Sequence, residues 1–450
     1  MSLMISVSGI RGIFGSDLNP ENLVTWSAAF GAWLGGGPVV IGRDTRNTGK
    51  ICEDIVASTL KSVGCDVIRT GIVPTPTVAM AVLRHEARGG IILTASHNPE
   101  EWNALKLLNE KSEFLDAAQG ETVRRIAEEK QFEFVAFDQI GRDILVENAT
   151  DDHIQAILDL PYIHPDKLAE RKFKVAVDAV NGAGSEAVPA LLESLGARVY
   201  KLHCTPDGRF PHNPEPLPEH LSEIREFVLE HDCDLGVVLD PDADRLALID
   251  EKGELFGEEN TQVTAFDFML AYKPGPTATN LSSSRSADDI TLKYNQKCYR
   301  SAVGEINVVK KMQEVEAVIG GEGNGGVINP DLHYGRDALA GIAMTLQLLA
   351  DRGLKASDYR STLPSYRIIK EKISLEEMGK EADELLATIS QRYADHSPDT
   401  TDGVKIDLDK GWVHFRKSNT EPVVRVYAEA KSEEQARELA DELIRSLNIE

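Results

Sequence analysis

The chain has 450 residues, enough for three or four domains, and its 42% hydrophobic content allows each a real core. A formal charge of -25 argues against nucleic acid or an anionic membrane as a partner, so an anionic substrate would need a locally basic cleft. Five widely spaced cysteines without a C-x-x-C pair, and no evident signal peptide or long apolar span, read as a reducing cytoplasm with neither disulfides nor a zinc site.

Ser8-Gly9-Ile10-Arg11-Gly12 comes first, a tight glycine-flanked segment that presents Arg11. Pro38 to Gly42 is a short apolar strand running into Arg43-Asp44-Thr45-Arg46. A helix follows from about Asn47 to Ser62, with Gly64 as its C-cap, and Cys65 to Ile68 resumes as a strand. Gly89 to Leu93 reads as a buried strand, and Thr94-Ala95-Ser96-His97-Asn98-Pro99 as the loop leaving it. Strand ends in α/β sheets are where reactive groups are displayed. Ser96 is a weak nucleophile alone, but His97 is beside it and Lys106 a short way on. Gln131 to Ile140 is strand-like and closes the first unit near residue 149.

The second unit, about 150 to 250, repeats part of the first. Lys174 to Asp178, a helix through Ser194, Gly196 and then Val199 again read strand, Asp loop, helix, glycine, strand. This alternation implies right-handed crossovers and largely parallel pairing. Pro206 to Pro218 holds five prolines and reads as an irregular excursion. The strand-like run Cys233 to Leu239 then enters Asp240-Pro241-Asp242-Ala243-Asp244-Arg245. Three carboxylates at alternate positions can converge on one cation, and oxygen ligands suit magnesium or calcium. Asp240, Asp242, Asp244 and Glu251 also match EF-hand positions 1, 3, 5 and 12, but Arg245 stands where that loop needs glycine, and the flanks look like strands.

The third unit, about 251 to 364, contains a polar loop from Asn280 to Arg285 and a helix opened by Val303-Gly304-Glu305. Its strand Ala317 to Ile319 enters the glycine-rich run Gly320 to Ile328, where Glu322 and Asn324 can hydrogen-bond the hydroxyls of a ligand. The last unit, about 365 to 450, reads as a hairpin from Gly403 to Phe415 and a third strand from Val423 to Tyr427. A final helix opens on a capping box of Ser432 and Gln435 and carries an apolar stripe from Ala436 to Leu447. Between hairpin and third strand, Arg416 to Thr420 has the composition of a phosphate clamp: a guanidinium, hydroxyls, an amide and backbone N–H groups.

Four of these strings, in order, resemble the loops of the α-D-phosphohexomutases, the phosphoglucomutase and phosphomannomutase superfamily. They are Ser96-His97-Asn98-Pro99 followed by Trp102 to Lys106, the D-x-D-x-D-R string at 240–245, the glycine-rich loop around Glu322, and R-x-S-N-T-x-P at 416–422. The resemblance covers essentially the whole chain. Asn324 and Gly326 stand where the commoner bacterial pattern G-E-x-S-G-H has serine and histidine, and the G-E-G-N-G-G form looks like the archaeal-type phosphoglucosamine mutases and their bacterial relatives.

The resemblance implies an α/β fold of three related mixed-sheet domains, 1–149, 150–250 and 251–364, plus a smaller C-terminal α+β domain, 365–450, around a central cleft. It implies an isomerase that interconverts hexose 6-phosphate and hexose 1-phosphate through a phosphoserine at Ser96 and a bisphosphorylated sugar. Glucosamine phosphates are the first expectation, with mannose and glucose phosphates next. A serine phosphoenzyme phosphatase and a non-catalytic sugar-phosphate sensor are the rival classes. The implied catalytic residues are Ser96, His97, Lys106 and Arg11, and the implied magnesium ligands are Ser96, Asp240, Asp242 and Asp244. Gly304, Glu305, Glu322, Asn324, Arg416, Ser418, Asn419, Thr420, Arg425 and Arg245 are implied to bind substrate, and Arg43 to add to the basic cleft. A sugar 1,6-bisphosphate is expected as activator and intermediate. The expected partner is a small-molecule sugar phosphate, with no nucleic acid or membrane, for a cytoplasmic monomer or homodimer. His333 and Arg336 receive no role.

Overall fold

Apolar residues at alternate positions decide which way each central strand faces. Val39, Ile41, Ile91 and Leu93 pack into one core with Trp26, Phe30, Val56 and Leu60. Their neighbours Val40 and Ile92 pack into a second with Val78 and Val82. The strands are therefore buried on both faces, the pattern of a sheet with helices on either side. The computed structural model describes residues 3–6, 9–375, 381–417 and 423–446. Two compact units result: Met1–Phe268 with Asn324–Ser361, and Met269–Gly323 with Thr362–Glu450.

In the first unit a seven-stranded sheet runs Met4–Ser6, Gly9–Ile13, Trp102–Leu108, Gly89–Leu93, Gly37–Arg43, Cys65–Ile72, Asp143–Leu145. The last four are mutually parallel, whereas Trp102–Leu108 runs antiparallel to both its neighbours. The sheet is thus mixed, and the loop carrying Ser96 joins an antiparallel pair. A second sheet runs Leu246–Asp250, Leu235–Leu239, Lys174–Asp178, Arg198–Leu202, and only its first pair is antiparallel. The expected internal repeat is present: each copy has two parallel strands bridged by a helix, Gly49–Ser62 or Gly184–Ser194. Gly64 and Gly196 follow those helices at φ +85° and +76°, a conformation in which a side chain is strained.

Gln131 to Ile140 is not a strand. Phe134, Phe137 and Ile140 are exposed, and the edge strand is Asp143–Leu145. Charge selects it over the more apolar segment: Arg69 and Lys61 donate to Asp143, and Arg142 donates to Asp66. The excursion from Pro206 is irregular up to a short 3₁₀ turn at Pro218–His220.

In the second unit three parallel strands, Cys298–Ser301, Thr277–Asn280 and Ile319–Glu322, lie beside the helices Ser286–Lys293 and Glu305–Val315. A separate antiparallel sheet runs Arg367–Ser374, Val423–Ala430, Gly411–Lys417, Val404–Leu408. Arg367–Ser374 was not evident in the sequence because its charged residues mask the alternation; Ile369 and Ile373 face the core, and Glu371 between them pairs with Arg437. The final helix, Glu433–Ser446, buries Ala436, Leu439, Ala440 and Leu443, and Ser432 Oγ accepts from Gln435 N at 3.2 Å. Leu447 lies outside the described residues. Among the described residues no helix is long and apolar enough to cross a membrane.

Candidate active site

Two loops meet in the first unit. One leaves Gly89–Leu93 and the other joins Leu235–Leu239 to Leu246–Asp250, and each exits the end of a buried strand. Because Trp102–Leu108 returns beside Gly89–Leu93, Lys106 sits opposite Ile92, and Arg11 lies one strand further on, opposite Ala104. The strands flanking the aspartate loop are an antiparallel pair, which rules out the two helices of an EF-hand.

Ser96 is buried, and its hydroxyl donates to Asp240 Oδ2 at 2.6 Å. Its φ is +49°, and that of Ala243 in the opposite loop is +53°. Left-handed backbone costs a non-glycine residue roughly 1 kcal/mol and persists only where surroundings hold it. Around Ser96 those surroundings are explicit. Ser96 N donates to Thr94 Oγ1 at 2.9 Å, and Thr94 Oγ1 donates to Asp44 Oδ2 at 2.7 Å. Arg46 pairs with Asp44 at 3.0 Å, and its other nitrogens donate to the carbonyls of Ser96, Asn98 and Trp102. Arg11 reaches the same loop, donating to Asn98 Oδ1 at 2.6 Å.

Asp240, Asp242 and Asp244 are all buried, and one ligand oxygen from each lies within 4.8 Å of the others. Lys106 Nζ donates to Asp242 Oδ2 at 2.7 Å and lies 3.4 Å from Asp244 Oδ2. Thr75 Oγ1 also donates to Asp242 Oδ2, at 2.6 Å. Burial alone would neutralise the lysine, but Asp242 and Asp244 outweigh it and hold the ammonium above its usual range. Asp242 stays below the usual carboxylate range, since Lys106 and its hydrogen bonds outweigh burial; Asp240 is pushed well above that range by burial and by the two neighbouring carboxylates. Asp242 Oδ1 and Asp244 Oδ1 are buried without a hydrogen-bond partner. Buried carboxylate oxygens left in this state cost free energy unless a cation takes them. These two oxygens, with Asp240 Oδ2 beside the serine hydroxyl, fit a hard divalent ion.

The His97 Nδ1 lies 3.4 Å from Ser96 Oγ. Burial and the charges of Arg245, Arg11 and Lys106 drive its pKa down to about 2, so the imidazole is neutral. Arg245 donates to Glu215 at 3.3 Å, and Asn324 Oδ1 accepts from Gly326 N at 3.2 Å. Arg43 turns to Glu53 instead of the Ser96 loop. In the second unit Gly304, at φ +116°, precedes the helix that Glu305 begins, and buried Glu322 accepts from Asn280 Nδ2 at 3.0 Å. Arg416 Nε donates to Asp402 at 2.8 Å and sits in register with Arg425. Ser418, Asn419 and Thr420 lie outside the described residues, as does Ser8.

Sequence reading missed Asp44, Arg46, Thr75, Thr94 and Arg336 as members of this site. A signal existed for the first two, because charged residues at the carboxyl end of a parallel strand are unusual in a purely structural role.

The excursion beyond Pro206 closes on the same loops. Phe210 lies under the Arg46 guanidinium at 4.9 Å from the ring centroid. His212 anchors it, with Nε2 at 3.0 Å from Asp178 Oδ2 and Nδ1 at 2.8 Å from Asn213 O. Both ring nitrogens face acceptors, so the imidazolium alone satisfies both. Burial opposes the charge, but Asp178 and the carbonyl raise the pKa overall. A raised folded pKa contributes stability that is full below the unfolded value and lost as pH rises through the folded one. His212→Gln is therefore expected to lower Tm more at about pH 5.5 than at about pH 9. Equal losses in the two melts would remove the charged form from the account.

Comparison with known proteins gives four family models in order. They are phosphoglucomutase/phosphomannomutase alpha/beta/alpha domain I over residues 3–134, domain II over 151–253, domain III over 260–366 and the C-terminal domain over 370–446. A probable phosphoglucosamine mutase of Methanopyrus kandleri is 35% identical over 448 residues, covering 99% of this chain and 97% of that protein. A phosphoglucomutase/phosphomannomutase of Thermococcus kodakarensis is 37% identical, covering 97% of each. The crystal structure of a phosphoglucomutase/phosphomannomutase family protein from Burkholderia thailandensis superposes with a TM-score of 0.86 at 26% identity, over 99% of this chain and 98% of that one.

Proposed function

The chain belongs to the phosphoglucomutase/phosphomannomutase family, and from that premise we propose that it interconverts glucosamine 6-phosphate and glucosamine 1-phosphate. It is a hexose-phosphate mutase, an isomerase, with the four-domain architecture of that family. The domain limits we propose are 1–149, 150–250, 251–364 and 365–450. The observation that carries the reading is Ser96 Oγ at 2.6 Å from Asp240, beside two buried carboxylate oxygens that lack a donor.

Ser96 carries the phosphoryl group between turnovers and passes it to a sugar monophosphate. The resulting sugar 1,6-bisphosphate turns over and returns its other phosphate to Ser96. Asp240, Asp242 and Asp244, with an oxygen on Ser96, would hold Mg2+; when bound, the ion supplies charge neutralisation for the phosphoryl group in flight. Lys106 and Arg11 bring fixed positive charge to the same place without needing to reorganise. His97, kept neutral, suits hydrogen bonding to the transferring oxygen better than storage of a proton. Arg245, Gly304, Glu305, Glu322, Asn324, Arg416, Ser418, Asn419, Thr420 and Arg425 are assigned to the sugar and its second phosphate. The relative from Methanopyrus kandleri supports the amino sugar; the one from Thermococcus kodakarensis supports glucose and mannose phosphates as the second reading.

One assay containing glucosamine, glucose and mannose 6-phosphates in competition tests the choice. Glucosamine 6-phosphate is expected to be consumed with the highest kcat/KM. Preferential turnover of either other sugar would overturn the amino-sugar assignment and leave the mutase standing. Release of free sugar and phosphate in place of the 1-phosphate would contradict the mutase itself.

A further inference from the structure

Ile328 and Arg336 pair in an antiparallel bridge, and Asp337 N donates to Val327 O at 2.8 Å. Gly326 is then the diagonal neighbour of Arg336 on one face of that pair. The stem of Arg336 lies across it: a Cβ at position 326 would sit 2.3 Å from Arg336 Cδ and 2.9 Å from its Cγ. Gly326 has ordinary negative φ, so its backbone conformation does not demand glycine. The space does.

Beyond this slot the buried Arg336 guanidinium donates to Asp244 Oδ2 at 2.8 Å. Its base is stiff. Asp337, the next residue, accepts from Ala340 N at 3.0 Å to cap the helix Ala338–Arg352. The other oxygen of Asp337 faces His153 Nε2 at 2.9 Å and His333 Nε2 at 3.4 Å, and all three side chains are buried. Asp244 Oδ2 thus meets two cations, Arg336 and Lys106, while Oδ1 of the same carboxylate has no hydrogen-bond partner. That spare oxygen lies 4.0 Å from Arg245 Nε, too far for a hydrogen bond, and so can still take a metal cation.

We propose that Arg336 is a positioning residue for the metal-binding carboxylate of Asp244, and that position 326 is glycine because Arg336 must cross it. This rests on the metal reading of the aspartate loop given above. Two effects oppose each other when Arg336 is lost. Removing a positive charge attracts a divalent ion more strongly, whereas freeing the carboxylate weakens its grip. Gly326→Ala moves the Arg336 guanidinium off the carboxylate without altering the formal charge of the chain. Arg336→Lys keeps the charge and loses the planar fork that fixes the carboxylate.

The test is Mn2+ binding to the purified full chain without sugar, read from the EPR signal of the free ion with Mg2+ as competitor. Gly326→Ala and Arg336→Lys are each expected to weaken binding on the order of tenfold. The double variant should bind no more weakly than either single one, since both act through one contact. A folded single variant that binds Mn2+ as tightly as the wild type, or losses that add in the double variant, would overturn the proposal. Should Gly326→Ala fail to fold, Arg336→Lys decides alone by the same criterion. A wild-type chain that binds no divalent ion would instead refute the metal reading of the loop.

Discussion

Ser96→Ala is expected to lower kcat by at least about 10³-fold, since the Ser96 hydroxyl carries the covalent step. The expectation follows from geometry as well as chemistry. Thr94 is the nearest hydroxyl in the loop, but it already accepts from Ser96 N and donates to Asp44. The fold should survive. Asp240 loses one donor on Oδ2, yet its Oδ1 still accepts from Asp244 N and Arg245 N. A single lost hydrogen bond of this kind costs about 1 kcal/mol. Intact-mass measurement should find a phosphate on the wild type that maps to Ser96 and is missing from the variant. Near-normal turnover by a folded Ser96→Ala enzyme would refute the nucleophile assignment.

The second large effect is on stability. Arg46→Met should destabilise the first unit by about 3–5 kcal/mol, because it strands Asp44 as a buried carboxylate without its cation. Burial already pushes the Asp44 carboxyl up, and Arg46 is the largest influence pulling it down. The same change removes the donors to the carbonyls of Ser96, Asn98 and Trp102, so the strained turn at Ser96 loses its clamp. Turnover should therefore fall further than stability alone explains. Arg46→Lys restores the charge but cannot serve three carbonyls and a carboxylate from one ammonium, and should recover only part of the loss. Urea denaturation checks the first figure; a loss below about 1 kcal/mol for Arg46→Met would show that the pair with Asp44 contributes little.

The two loops that carry the chemistry were legible because each is local. A buried apolar run ends, Ser96 or the three aspartates follow within a few residues, and a proline, Pro99 or Pro241, keeps the same short stretch out of regular structure. The repeated strand, helix, glycine, strand unit was legible for the same reason, as its period and its caps are written in adjacent residues. The strand reading of Gln131 to Ile140 failed because ion pairs across the sheet edge, far apart in sequence, chose Asp143–Leu145 over a more apolar segment. Arg367–Ser374 was overlooked because its inward-facing glutamate is neutralised by Arg437 of the last helix.

By itself the sequence determined which chemical groups are present, a hydroxyl, three carboxylates, a lysine and glycine-rich backbone, and which strand ends display the hydroxyl and the carboxylates. Tertiary structure alone decided who meets whom. It set Ser96 against Asp240 across 144 residues, made Arg46 and not Arg43 the brace of the serine loop, and brought Arg336 over Gly326 to Asp244. The physical reason is range. Periodicity and capping act over a few residues, while the partner of a buried charge is fixed by strand order, register and whichever neighbour leaves room for it.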